Sequence, residues 1–313
     1  MATSTRSTNA PHVGAPHPFA TERLRFDANG DTLVADLFRP LDAPDGPAPI
    51  VVVTGSWTTS KEQQANFYAR QLAANGIAAF TFDFRGFGQS EGQPRDWEQP
   101  ARKAEDINAA VGFVAGLDVV DADRIGALGV CASAGYQAVN AATDERVRAL
   151  GLIAPWLHDI DRVAPYYGGP DGVQARIELS QRAEARYRET GEVAFMPAIS
   201  ETDESAAMFG PFDYYLDPAR GAIPEWDARL AVMSWEPWLR FDPIAVAPDI
   251  TIPVQMVHSH DGAVPDGAAA FHDGLAGPKD LLWTDGGQLD FYDQPAQVAV
   301  ATPAVVAHFT EHL

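Results

Sequence analysis

The sequence is poor in positive charge, holds one cysteine and contains no long apolar run. Its 22 Lys and Arg face 43 Asp and Glu, a formal net charge of −21. So acidic a surface repels phosphate backbones and anionic bilayers, which excludes nucleic acid and membrane surfaces as expected partners. One cysteine forbids an internal disulfide and suits a reducing compartment. No stretch approaches the ~20 apolar residues a bilayer span needs. Residues 1–20 are rich in Ser, Thr, Ala and Pro and lack the apolar core of a signal peptide. A loose tail and a cytoplasmic location are therefore expected. The eight histidines are scattered and no Cys pair exists, so no metal site is expected. No Gly-rich phosphate loop follows the first α/β strand, and no cofactor is expected.

What the chain does have is ordinary globular material, 46% hydrophobic and 21% charged over 313 residues. That is enough for a core without metal or disulfide staples. Asn29-Gly30 lies between β-like runs at Thr21–Asp27 and Thr32–Arg39, a hairpin signal. Ile50-Val51-Val52-Val53 reads as a strand buried on both faces. A helix is expected from Ser60, capped reciprocally with Gln63, to Asn75. Strands then alternate with helices: Gly76–Asp83, Arg124–Val130, Val147–Ala154, Ile252–His258 and Asp280–Thr284. The chain closes on a helix, Pro295–Leu313. This pattern predicts an α/β fold with a mostly parallel sheet and helices on both faces. Such sheets build their sites at the carboxyl ends of strands.

Residues 156–247 interrupt the alternation. They hold one clear helix, near Gly172–Thr190, and many aromatics. An inserted lid is expected between core segments 21–155 and 248–313. Most lid aromatics are expected to form the lid's own core, with some lining a pocket. Ser56, Trp156, Tyr215 and Trp235 are the expected substrate contacts, the substrate being a small apolar or aromatic molecule. A homodimer is left open.

Gly129-Val130-Cys131-Ala132-Ser133 follows the strand at Arg124. Small residues two before and two after Cys131 permit a sharp strand-to-helix turn that exposes the thiol at a helix N-terminus. The Ala132 amide would then point at a developing oxyanion. A buried structural cysteine is the alternative, and Ser133 is a rival nucleophile in a worse register.

Around this turn the chain resembles an α/β-hydrolase, nearest the dienelactone-hydrolase-like branch with cysteine at the elbow. Thr54-Gly55-Ser56-Trp57 resembles the oxyanion loop, which implies a role for the Trp57 amide. Asp83-Phe84-Arg85-Gly86-Phe87-Gly88-Gln89-Ser90 resembles the turn after the fourth strand, with Arg85 as its brace. His258 through Pro265 resembles the acid loop, with Asp261 at the acid position. Asp285 through Tyr292 resembles the final loop, where the family's catalytic histidine is replaced by Gln288.

A carboxamide cannot take and return a proton near neutral pH. Another histidine could serve instead, with His158 the best candidate and His258 and His260 the others. The scaffold could alternatively run non-hydrolytic chemistry such as isomerisation, elimination, cyclisation or acyl transfer, or bind without catalysis. The leading expectation is an enzyme acting on an ester, lactone or thioester, with Cys131 as nucleophile. Lys61 and Glu62 are expected to form a solvated ion pair.

Overall fold

The computed structural model describes residues 16–43 and 46–313. Most of the expected tail lies outside the described residues, and Phe19 already belongs to the first strand. The main sheet has eight strands: β1 Phe19–Ala28, β2 Asp31–Pro40, β3 Ala48–Thr54, β4 Ala78–Phe82, β5 Val120–Val130, β6 Val147–Ile153, β7 Val254–Ser259 and β8 Lys279–Thr284. Their spatial order is β1-β2-β4-β3-β5-β6-β7-β8. The β1–β2 and β2–β4 pairings are antiparallel, and the other five are parallel.

Asn29 and Gly30 make the β1–β2 turn at φ 57° and 92°, the left-handed pair that a two-residue hairpin requires. Val51, Val52 and Val53 are fully buried in the sheet centre. Helices α1 Gln64–Ala74 and α6 Pro295–His312 cover one face of the sheet. Helices α2 Pro100–Ala115, α3 Ser133–Ala141 and α5 Pro265–Gly274 cover the other. The long helix α4, Gly169–Thr190, lies in the stretch between β6 and β7. It ends at Gly191 in the left-handed conformation.

Register brings four strand exits together. Thr54 of β3 pairs Gly129 of β5, Val130 pairs Ile153 of β6, and Ile153 pairs Val257 of β7. Whatever follows these strands is therefore gathered at one edge of the sheet.

Two local expectations fail for physical reasons. Helix α1 begins at Gln64, four residues later than Ser60. Gln63 Oε1 does accept from the Ser60 N–H at 3.0 Å, but the Ser60 hydroxyl finds no partner among the described residues. The Lys61 N–H instead donates to Asp83 Oδ1 at 2.8 Å, which pulls the backbone out of helical geometry. Nor is Lys61 solvated. Its side chain is wholly buried, and Nζ donates to Asp83 Oδ2 at 2.9 Å as well as meeting Glu62. This buried pair anchors the turn after β4 to the loop after β3. Arg85 braces the same turn by holding Asp106 at 2.6 Å, and burial pushes that carboxyl up to about 6.

The turn after β5 is as tight as the sequence requires. A Cβ on Gly129 would lie 2.6 Å from the Ser133 carbonyl oxygen and 2.7 Å from Ala134 Cα, both backbone atoms. Gly129→Ala should therefore destabilise the fold by about 1–3 kcal/mol, the cost of forcing atoms into a packed site. Urea denaturation measures this, and an unchanged midpoint would contradict the close approach.

Candidate active site

Cys131 is the residue at the bend. Its φ is +57°, uncommon outside glycine. Its N–H donates to Ile153 O at 3.0 Å, while its carbonyl accepts from Ala134 N at 3.1 Å and Trp156 N at 2.9 Å. These bonds leave the side chain directed at a cavity of about 360 Å³. The residue is nearly buried, and burial pushes the thiol above its usual range. Ser56, Tyr292, the Ala132 amide and Gln288 face the sulfur and oppose that rise. Ser133 opens α3, its hydroxyl buried without a partner among the described residues, and does not line the cavity.

The loop after β3 supplies Ser56 and Trp57 to the cavity. Tyr215 donates its hydroxyl to Ser56 Oγ at 3.0 Å, and Tyr292 OH lies 3.4 Å from the same oxygen. The Ser56 and Tyr292 hydroxyls thus face the sulfur, with Tyr215 behind Ser56. Trp57 is fixed by Trp238 and Trp235, with ring centroids at 5.3 and 5.9 Å, and its buried indole N–H has no partner among the described residues. Trp235, expected against substrate, packs behind Trp57 and does not reach the cavity lining.

Gln288 takes a structural position. Its Oε1 accepts from Ala263 N at 2.9 Å and its Nε2 donates to Ala154 O at 2.7 Å. It ties the final loop both to the loop after β7 and to the exit of β6. Asp261 lines the cavity but is exposed, and it makes no hydrogen bond or ion pair among the described residues.

The candidate replacement bases stand elsewhere. His158 is fully buried: Nδ1 accepts from Trp156 Nε1 at 3.0 Å, and Nε2 donates to Trp238 O at 2.9 Å. Burial pushes it down to about 4, so it is neutral with both nitrogens occupied, and it does not line the cavity. The expectation of His158 as a base is corrected accordingly. His258 is also pushed down to about 4 by burial and bonds Ala263 O at 2.9 Å. His260 is exposed and stacks on Trp283 with centroids 4.2 Å apart. No described histidine reaches the cavity.

The cavity walls are aromatic. Trp156, Tyr166, Tyr167, Phe209, Phe212 and Trp238 contribute, besides the two tyrosines already placed. More of the 156–247 aromatics therefore face the cavity than expected. Trp226, Tyr214 and Phe241 pack elsewhere. Among the described residues, Asp261 is the single charged side chain in the lining.

Residues 29–189 match the model of the X-Pro dipeptidyl-peptidase (S15 family). The uncharacterized protein PA2218 of Pseudomonas aeruginosa is 30% identical over 301 residues, covering 91% of this chain and 78% of that one. The chain belongs to the S15 family. It is an α/β-hydrolase-fold enzyme of the hydrolase or acyl-transfer type. Acyltransferase drtE of Aspergillus calidoustus is 27% identical over 251 residues, 76% of this chain and 78% of its own. The fold matches the PA2218 crystal structure at a TM-score of 0.82 and 24% identity, covering 100% of this chain and 99% of that one. It matches α/β hydrolase GrgF from Penicillium sp. sh18 at 0.78 and 20% identity, covering 94% and 99%.

Within this S15-family site, the sequence reading missed Tyr292. It stands four residues after Gln288, on the one-turn helix Asp290–Asp293 that Tyr68 secures by bonding Phe291 O. Its place in the same final loop as Gln288 was the available signal. Tyr166, Tyr167 and Trp238 were visible as aromatics, but nothing in their spacing separated pocket wall from core.

A thiol raised by burial and lacking an imidazole partner is protonated at neutral pH. Alkylation of Cys131 by iodoacetamide should therefore accelerate about tenfold per pH unit from pH 6 to beyond pH 9. A plateau reached below pH 8 would show an activated thiolate and contradict this electrostatic account.

Proposed function

We propose that the enzyme moves the acyl group of a small apolar or aromatic thioester, through Cys131, onto a nucleophilic acceptor. The observation that carries this reading is that the thiol shares its cavity with a carboxamide and with no imidazole. Without a general acid, the leaving group must depart unaided. An alkoxide leaves poorly and a thiolate leaves well, because leaving ability follows the low pKa of the departing group. The Cys131 sulfur bonds to the acyl carbon, the substrate carbon–sulfur bond breaks, and the thiol proton leaves on the departing sulfur. The Trp57 and Ala132 amides are the proposed donors to the tetrahedral oxyanion.

Resolution follows the same logic. Water attacks slowly without a base, whereas an amine or a second thiol is intrinsically nucleophilic. The acceptor bonds to the acyl carbon, the bond to Cys131 breaks, and the acceptor's proton returns to the sulfur. Asp261, with no imidazole to orient, stands at the cavity wall as a polar group toward the acceptor. Gln288 holds the walls, and the aromatic lining of Trp156, Tyr166, Phe212 and Tyr215 suits an apolar acyl chain or ring. That the relative drtE is an acyltransferase supports acyl transfer as the reading.

With a benzoyl thioester and an amine or thiol acceptor, the wild type should give more transfer product than free acid. Cys131→Ala should lower turnover at least a hundredfold. Gln288→His should raise the hydrolysed share about tenfold or more, by restoring a group that activates water. Turnover that survives in Cys131→Ala would overturn the covalent route, and a wild type that yields only free acid would overturn the transfer reading.

A further inference from the structure

Beside the cavity, outside the final loop and the elbow, lies a wholly buried carboxylate for which the proposed chemistry has no use. Glu98 Oε2 accepts from Thr58 N at 2.9 Å. Its Oε1 accepts from Tyr136 OH at 2.6 Å and lies 2.7 Å from Lys103 Nζ. The Glu98 N–H donates to Ser234 Oγ at 2.9 Å. One residue thus meets three parts of the site: Thr58 follows Trp57 in the loop after β3, Tyr136 sits on α3 directly behind the elbow, and Ser234 immediately precedes Trp235.

Thr58 needs holding. It is β-branched with φ at +62°, where its Cβ crowds the backbone. Its peptide groups are gripped from both sides, the N–H by Glu98 and the carbonyl by Trp226 Nε1 at 2.9 Å. Thr59 Oγ1 bonds Ser56 O at 2.9 Å and closes the loop from the other end. The chain between these points is Ser56–Trp57–Thr58, so the direction of the Trp57 amide is set by what holds Thr58.

We infer that Glu98 is a positioning residue for acyl transfer: by fixing Thr58 in the left-handed conformation it aims the Trp57 amide at the oxyanion. Tyr136 carries the same restraint to α3, so the two oxyanion donors, Trp57 N and Ala132 N, are registered against one carboxylate. Lys103 is the counter-ion that lets this carboxylate stay buried, itself enclosed by the rings of Phe84, Phe87 and Tyr136. The inference rests on the acyl-transfer reading above.

The test separates acylation from simple alkylation of Cys131, because alkylation by iodoacetamide forms no oxyanion. Glu98→Gln keeps the shape but leaves Thr58, Tyr136 and Lys103 competing for one acceptor oxygen. Glu98→Gln paired with Lys103→Met avoids stranding the buried ammonium. Acylation is followed as thiol release from a benzoyl thioester, and melting curves report the fold. Both variants should acylate about 10–100-fold more slowly, chiefly in kcat, while alkylation changes less than about threefold. Adding Thr58→Gly should recover most of the loss, because glycine adopts φ +62° without a restraint.

Acylation at the wild-type rate, or a loss that Thr58→Gly does not relieve in a folded variant, overturns the assignment. Equal losses in alkylation and acylation would mean that the elbow itself had moved, which also overturns it. A wild type that alkylates but never acylates rejects the acyl-transfer reading, and the role of Glu98 with it.

Discussion

Left-handed backbone at residues other than glycine is the constraint around which this site is built. Cys131 (φ 57°), Thr58 (φ 62°), Ala154 (φ 43°) and Val264 (φ 52°) follow β5, β3, β6 and β7 respectively. Each costs on the order of 1–3 kcal/mol and persists only where its surroundings over-determine it. The surroundings can be named. Cys131 is held by Ile153 O, Ala134 N and Trp156 N, and Thr58 by Glu98 and Trp226. The Ala154 carbonyl is held by Gln288, and Val264 N by the hydroxyl of Tyr166. The strand exits that sheet register brings together are thereby bent inward, and their residues enclose one cavity.

Gln288 holds backbone together at the position where the resemblance to α/β-hydrolases places a catalytic histidine. An imidazole there would move protons. The carboxamide instead bonds the backbone at Ala263 and Ala154, stitching two of the bent exits to the final loop. The thiol beside it is raised by burial, and Asp261 makes no hydrogen bond or ion pair among the described residues. These features form one consistent state: a protonated thiol, proposed oxyanion donors, the Ser56 and Tyr292 hydroxyls facing the sulfur, and aromatic walls. The proposed transfer, in which leaving group and acceptor supply their own reactivity, fits that state.

The architecture was legible in the sequence because it rests on local signals. Asn29-Gly30 fixed a hairpin, four β-branched residues a central strand, and Gly129 the turn at Cys131. The motif loops placed Asp261 and Gln288 at the cavity and Ser56 and Trp57 beside the thiol. Side-chain partnerships across long separations were not legible. Lys61 reads as a surface lysine until Asp83, 22 residues later, is seen to bury it. His158 reads as a spare base until Trp156 and the Trp238 carbonyl occupy its ring. Glu98 carries no motif at all, and its meaning lies in partners at 58, 136 and 234. Tyr215 and Trp235 looked equivalent as aromatics, yet one bonds Ser56 at the cavity and the other packs behind Trp57.

The central claim is that the sulfur of Cys131 carries the acyl group in a state that water resolves slowly. Intact-protein mass spectrometry after mixing with a benzoyl thioester, without acceptor, tests it most directly. The account predicts a single added benzoyl mass that peptide mapping places on Cys131, long-lived until an amine or thiol is added. Acylation of another residue, or acceptor-dependent product formed with no adduct on Cys131 at any time, would contradict it.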